Sequence, residues 1–382
     1  CSIMTKKNEE ERFKKETMRQ EFDLKQIEKP LLSWFAGHAR VLPWREEPTP
    51  YRVWVSEIML QQTRVEAVKP YFERFTKELP DVAALAACSE ERLLKLWEGL
   101  GYYNRVRNMQ TAARTVMEEY DGRLPADYEK LLTLKGIGSY TAGAVASIAY
   151  GIPVPAVDGN VLRVIMRVTA DDSDIMKQSV KSRVEKELLA VIPKDAAGAF
   201  NQALMELGAT VCLPNGEPHC AQCPWESFCE ARKQGIWQTL PVKSRAKPRR
   251  IEEKTVLIIR DGERIVLHKR GAKGLLAGLY EFPNLAGHLS EEEVLSYVRE
   301  QDLVPVHIEK LEDAKHIFSH IEWHMTGYMV RVSELETEQS GLLFVEVEDS
   351  EKRYPIPAAF AAYTKYMNLR LGNDRFSADT DQ

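Results

Sequence analysis

Four cysteines, Cys212, Cys220, Cys223 and Cys229, are separated by seven, two and five residues, close enough to surround one metal centre with thiolates. That spacing leaves open a tetrahedral zinc ion or an iron–sulfur cluster. Only Cys1 and Cys88 lie outside the group, so the cysteines read as metal ligands in a reducing compartment, not as a disulfide framework. Two acids stand in apolar surroundings. Glu57 lies among Val53, Val55, Ile58 and Met59, which would desolvate it and raise its pKa into a range useful to a general acid; its plainer reading is an exposed helix glutamate. Asp158 follows Val154, Pro155, Ala156 and Val157 and precedes Gly159, Asn160 and Val161, a position that also suits a helix N-cap. Within Leu134–Ala142, Gly136 and Gly138 join two helical segments. Such a glycine pair either lets backbone N–H groups converge on an anion such as a phosphate or simply makes a turn.

These residues need a scaffold, and a length of 382 residues suggests two or three domains. With 44% hydrophobic and 29% charged residues the chain reads as soluble and globular. A net charge of −5 argues against a uniformly basic surface, so any polyanion must meet local patches. The N-terminus lacks the apolar core of a signal peptide, Met4 reads as a natural start, and the stretch Ala142–Val157 is interrupted by Gly151, Pro153 and Pro155; no membrane association and a cytoplasmic location are expected. Residues 1–28 form a charged extension with a helix expected from residue 5. Residues 29–236 carry helical periodicity, as in Val55, Ile58, Met59, Gln62 and Val65. Residues 237–253 read as a basic, extended linker. Residues 254–370 switch to strand patterns at Val256–Arg260, Arg264–His268, Val306–Leu311, Lys315–Phe318 and Met325–Val332, with a turn at Asp261–Gly262 and a helix to Gln301 opened by a Ser290/Glu293 capping box. The polar tail, 371–382, is expected to be disordered. The fold class is therefore multidomain, an all-helical region followed by an α+β domain.

A helical region ending in such a cysteine cluster resembles the endonuclease III superfamily of helix-hairpin-helix Gly-Pro-Asp DNA glycosylases, over Pro30 to about Arg232. The resemblance implies a 4Fe–4S cluster that shapes a DNA-contacting loop, with zinc as the alternative. Family members have six residues in the first interval where this chain has seven, Leu213–His219, so the resemblance carries the ligand set but not the loop conformation. It also implies that Gly136 and Gly138 hold DNA phosphate and that Asp158 is catalytic. Lyase-type relatives place a lysine before the Thr-Ala pair, where this chain has Tyr140; a phenol cannot form an imine, which favours hydrolysis without strand cleavage.

Val55–Thr63 resembles the signature of the adenine DNA glycosylase family. That likeness implies that Glu57 protonates adenine N7 while an ionised Asp158 stabilises the oxocarbenium-like sugar, Tyr140 and Asn160 completing the catalytic set. A retaining geometry would hold the two carboxyl groups roughly 5 to 5.5 Å apart. By the same likeness Trp44, Arg45 and Gln202 form the adenine pocket, while Gln62, Thr63, Leu100 and Tyr102 enter the base stack and touch the opposite base. Further on, Lys269–Asn284 resembles the opening of a Nudix fold of the MutT type, but the acidic constellation of a nucleotide hydrolase is missing, which implies a reader. Phe318, Ser319 and His320 match the tripeptide by which the family recognises 8-oxoguanine. The rival there is a metal held by His316, His320 and His324 on one strand face. The expected partner is double-stranded DNA with adenine opposite 8-oxoguanine or guanine, bound by a monomeric, nucleoid-associated enzyme.

Overall fold

The computed structural model describes residues 22–244, 248–262, 264–335 and 341–375. The helix expected from residue 5, Cys1–Met4, Arg245–Lys247 of the linker and residues 376–382 of the tail fall wholly or mainly outside them. Helices α1 (Glu28–His38), α2 (Pro43–Glu46), α3 (Pro50–Leu60), α4 (Val65–Glu78), α5 (Val82–Ala87), α6 (Glu90–Leu96), α7 (Asn104–Glu119), α8 (Tyr128–Thr133), α9 (Ser139–Ala144), α10 (Gly159–Val168), α11 (Gln178–Leu189), α12 (Ala197–Thr210) and α13 (Glu230–Lys233) follow in order. None of the helices among the described residues is long and apolar enough to cross a membrane. By contacts the chain divides into two units: the first holds residues up to 62, 81–83 and 111–245; the second holds 63–80, 84–110 and 246–382.

The first unit is built around α10. Its apolar residues Val161, Leu162, Val164, Ile165, Met166 and Val168 are all buried, because Leu31 of α1, Val184 and Leu188 of α11, and Phe200, Leu204 and Leu207 of α12 surround it. Trp225 of the cysteine segment joins the same core and donates its indole N–H to the Ile27 carbonyl at 3.1 Å. Close approach to α10 depends on glycine: a Cβ on Gly208 of α12 would stand 2.7 Å from the Asn160 Cβ. A Cβ on Gly143 of α9 would collide with the Pro155 carbonyl.

In the second unit β1 (Arg250–Asp261), β2 (Arg264–Lys269), β3 (Tyr280–Glu281), β4 (Asn284–Ala286), β5 (Pro305–Ile317), β6 (Ile321–Val332) and β7 (Leu342–Glu346) form one mixed sheet in the order β3-β2-β1-β6-β5, with β4 on β1 and β7 on β2. The β1–β6 pair is parallel and the others antiparallel. α14 (Glu291–Glu300) covers one face with Val294 and Val298, and Ile356, Phe360 and Tyr363 cover the other. The Ser290/Glu293 capping box is present.

Several boundaries differ from the sequence reading. β1 starts at Arg250, inside the expected linker, since Arg250–Thr255 pair in register with Ile321–Thr326 although charged side chains hide the alternation. Asp261 pairs with Arg264, so the turn falls one residue later and Gly262 takes φ +53°. The two stretches 306–311 and 315–318 are one strand, β5, with an irregularity between Leu311 and Ala314. Helix α15 (Val347–Arg353) and the turns over Ala358–Met367 lack a clear periodic signal in the sequence. The start of the tail is ordered: Gly372–Arg375 form a turn, with the Gly372 N–H donating to Glu98 Oε2 at 3.1 Å.

Candidate active site

α3 opens on Thr49, whose hydroxyl accepts the Arg52 N–H at 3.3 Å, with Pro50 pre-set for the first turn. Eight of its residues are buried, among them Glu57 at 5% exposure. The phenol of Tyr140, on α9, donates to Glu57 Oε2, and Met205 Sδ lies 3.7 Å from the same phenol. Burial pushes the Glu57 carboxyl up to about 7, helped by the charge of Asp158 and opposed by the Tyr140 bond and by Arg45. The Tyr140 phenol is pushed well up by burial and by both carboxylates, so it stays a donor.

Asp158 serves as the N-cap of α10, accepting the Val161 N–H at 2.8 Å through Oδ1 and the Asn160 amide at 2.9 Å through Oδ2. Burial raises its pKa, while these two donors and Arg163 pull the other way. The preceding loop is pinned by Asn201, which is fully buried. Its Oδ1 accepts the Ala156 N–H at 3.1 Å, and its amide donates to Ser147 Oγ at 2.8 Å and the Val154 carbonyl at 2.9 Å. Burial raises the pKa of both carboxyls, and both accept bonds that favour the charge, from one phenol on Glu57 and from the Val161 N–H and the Asn160 amide on Asp158.

A chain of bonds runs on from Asp158. Arg163 Nη2 donates to Asn160 Oδ1 at 2.9 Å and to the Gly208 carbonyl at 2.6 Å, while its Nε reaches the Cys212 carbonyl at 2.8 Å. One turn later Arg167 Nη1 lies 3.3 Å from Cys212 Sγ and donates to the Leu213 carbonyl at 2.8 Å. Sequence reading missed both arginines, as well as Asn201, Met205 and Glu206. Two cations in the apolar stripe of α10 are the signal that would have found the arginines.

Cys212, Cys220, Cys223 and Cys229 form no disulfide and line one small cavity with Arg167 and Trp237. Among the described residues no three His, Cys, Asp or Glu side chains are gathered as a single metal ion requires. Four cysteines lining a common space are a donor set that suits either a tetrahedral zinc ion or an iron–sulfur cluster.

Trp44 is buried on α2, and the partly buried Arg45 and Gln202 complete the expected pocket set in the same unit. Gly136 takes φ +79° and Gly138 caps α9, both exposed between helices α8 and α9. Gln62 is exposed at φ +60°, just past the end of α3. In the second unit Thr63 is partly buried. Tyr102 is 48% exposed at φ +48°, and Leu100 is buried. Phe318, Ser319 and His320 form the connection between β5 and β6; the Phe318 ring packs edge-on to Trp323 at 4.8 Å, leaving Ser319 and His320 exposed. Ser319 Oγ lies 3.1 Å from the Tyr102 hydroxyl. Because the strand is broken here, His316, His320 and His324 share no continuous face, and His324 pairs with Glu322 at 2.7 Å.

Residues 55–194 match the HhH-GPD superfamily of base excision DNA repair proteins, and residues 255–366 match the NUDIX domain. The adenine DNA glycosylase of Homo sapiens is 37% identical over 352 residues, covering 76% of this chain and 64% of that protein. The adenine DNA glycosylase of Buchnera aphidicola subsp. Acyrthosiphon pisum is 31% identical over 303 residues, covering 79% of this chain and 85% of its own. A solved structure of endonuclease III trapped as a covalent intermediate with DNA is 27% identical, with a TM-score of 0.48, covering 56% of this chain and 100% of that one.

Proposed function

Because this chain belongs to the adenine DNA glycosylase family, DNA glycosylases of base excision repair, we propose that it hydrolyses the N-glycosidic bond of adenine opposite 8-oxoguanine or guanine in duplex DNA without cutting the strand. The observation that carries the reading is Glu57, buried and held by Tyr140 with its pKa near 7, next to an Asp158 whose donors favour its charge. Adenine leaves poorly as an anion. Glu57 gives its proton to N7 as the bond from C1′ to N9 breaks, so the base departs neutral. The sugar is left as an oxocarbenium ion, and Asp158 stabilises it on the opposite face or bonds to it briefly. Water then adds to C1′ and passes a proton to the Glu57 carboxylate, which restores the starting state. Tyr140 and Asn160 orient the two carboxyl groups. Tyr140 has no amine with which to form a Schiff base.

Before chemistry the adenine must leave the stack, at a cost of a few kcal/mol that is smaller at a mispair. Trp44, Arg45 and Gln202 receive it, Gln62, Thr63 and Tyr102 act on the stack and the opposite base, and the Gly136/Gly138 hairpin holds phosphate through backbone N–H groups. Ser319 and His320 supply the donors that recognise 8-oxoguanine. Cys212, Cys220, Cys223 and Cys229 would hold a 4Fe–4S cluster, which when bound tethers the loop that meets DNA and takes no part in hydrolysis. The enzyme acts as a monomer.

The test is incubation with duplexes carrying adenine opposite 8-oxoguanine, guanine or thymine, with and without alkali. Breaks that need alkali and form fastest opposite 8-oxoguanine are expected; alkali-independent breaks, or no preference among opposite bases, refute the reading.

A further inference from the structure

In the first unit two arginines end on one buried carboxylate. Glu206, on α12, is 1% exposed. Its Oε1 accepts the Arg40 backbone N–H at 3.1 Å and Arg40 Nε at 2.7 Å. Its Oε2 accepts Arg40 Nη2 at 3.1 Å and Arg45 Nη2 at 2.8 Å. Burial alone would raise the Glu206 pKa, but the bonds from Arg40 and Arg45 outweigh it and hold the group below the ordinary glutamate value, as a carboxylate. The other arm of Arg45 donates to the Arg40 carbonyl at 3.1 Å, and its guanidinium lies 5.5 Å over the Phe35 ring. Glu206 thus settles both the place and the net charge of Arg45.

After burial, the Tyr140 bond and the charge of Asp158, Arg45 is the fourth influence on Glu57, and its charge favours the ionised form. Of the elements packed against α3, α2 brings Arg45 and Glu46, α9 brings Tyr140, and the π-helical turn Val145–Ala149 brings no titratable side chain; Asp158 acts from the start of α10. A proton-donating acid beside an uncompensated guanidinium would lose its proton too early, since opposite charge stabilises the carboxylate.

We propose that Glu206 is a positioning residue of the excision reaction, fixing the Arg45 guanidinium at the wall of the base pocket and neutralising it so that Glu57 keeps the proton it must deliver. This rests on Glu57 being the general acid. Arg40 belongs to the same device: it shares the carboxylate and so limits how much of its charge serves Arg45.

The test is the pH profile of single-turnover adenine excision by the whole protein, for the native chain, Glu206→Gln, Arg40→Gln and Glu57→Gln. Activity that needs protonated Glu57 is lost as pH rises. Glu206→Gln should move that basic limb to lower pH by on the order of one unit, close to a tenfold loss on the alkaline side. Arg40→Gln should move it the other way and by less. A Glu206→Gln limb that stays in place while the rate falls equally at every pH overturns the proposal, leaving Glu206 a packing residue. If Glu206→Gln does not fold, Arg40→Gln decides: an upward shift supports the proposal, and a fixed or lowered limb overturns it. A native profile without a basic limb, or full activity in Glu57→Gln, instead removes the general-acid reading and the proposal with it.

Discussion

The Tyr140 phenol donates its hydrogen bond to Glu57 Oε2, across 83 residues of sequence, inside a site that excludes most water from the carboxyl group. A neutral donor can hold that carboxyl without supplying the cation that would force it to ionise. The contact fixes the orientation of the carboxyl group, while proton retention comes from burial, which outweighs the pull of the phenol toward the ionised form.

The first consequence is a pH signature in both rate and stability. Excision should decline as pH rises through about 7, the value to which Glu57 is raised from 4.5, and should also decline at acid pH as Asp158, itself raised by burial, takes up a proton. Glu57→Gln should lower the rate by about 10²- to 10⁴-fold. For stability, the folded state keeps a proton that the unfolded chain releases, so stability falls as pH rises between 4.5 and about 7. The loss is on the order of 3 kcal/mol. Glu57→Gln should then melt higher than the native chain at pH 8 and show no such gain at pH 4; equal differences at both values count against a burdened Glu57.

Arg163 joins Asn160 to the Cys212 and Gly208 carbonyls, and Arg163→Met leaves those acceptors without their donor. A loss on the order of 3 kcal/mol is expected, together with slower excision as Asn160 releases Asp158. Arg163→Lys should not rescue it, because an ammonium cannot reproduce the planar fork. Thermal melting and single-turnover rates check this; a full rescue by lysine would show that charge alone is needed.

Gly208→Ala brings a methyl to 2.7 Å from the Asn160 Cβ and must push α12 off α10, at a cost of about 1–3 kcal/mol and with slower excision. Gly37→Ala, where no atom lies within 4 Å of the new methyl, should instead be neutral or stabilising by up to about 1 kcal/mol. Denaturant unfolding of the two variants separates close packing from helix propensity.

Tyr102 and Ser319 touch through their hydroxyls at 3.1 Å. Tyr102→Phe removes that bond, worth about 0.5–1.5 kcal/mol, so preference for 8-oxoguanine over guanine should fall by up to about tenfold. Ser319→Ala with His320→Ala should reduce it further, with excision opposite guanine retained. The ratio of rates on the two duplexes is the readout, and an unchanged ratio removes these residues from lesion recognition.

Much of this was legible before folding because it is encoded over short distances. The Ser290/Glu293 cap, the glycine pair at 136 and 138 and the cysteine spacing each depend on a few neighbouring residues, as does the switch from helical to alternating periodicity. β1 was harder to see, since its first half is charged and is held by register with β6 and not by an apolar face. The ordered Gly372–Arg375 turn depends on Glu98, a partner 274 residues away.

The amino-acid sequence by itself determined the candidate groups: two carboxyls in apolar surroundings, a phenol where an amine would change the chemistry, and four thiols in one segment. Only the tertiary structure decided how those groups are held. Arg40 meets Glu206 across 166 residues and Arg163 meets Gly208 across 45, while Leu100 turns out to be enclosed and Tyr102 exposed. The reason is physical. Burying a charge or a polar group is costly unless a partner is placed against it, and that partner is chosen by packing in space, where separation along the chain carries no information.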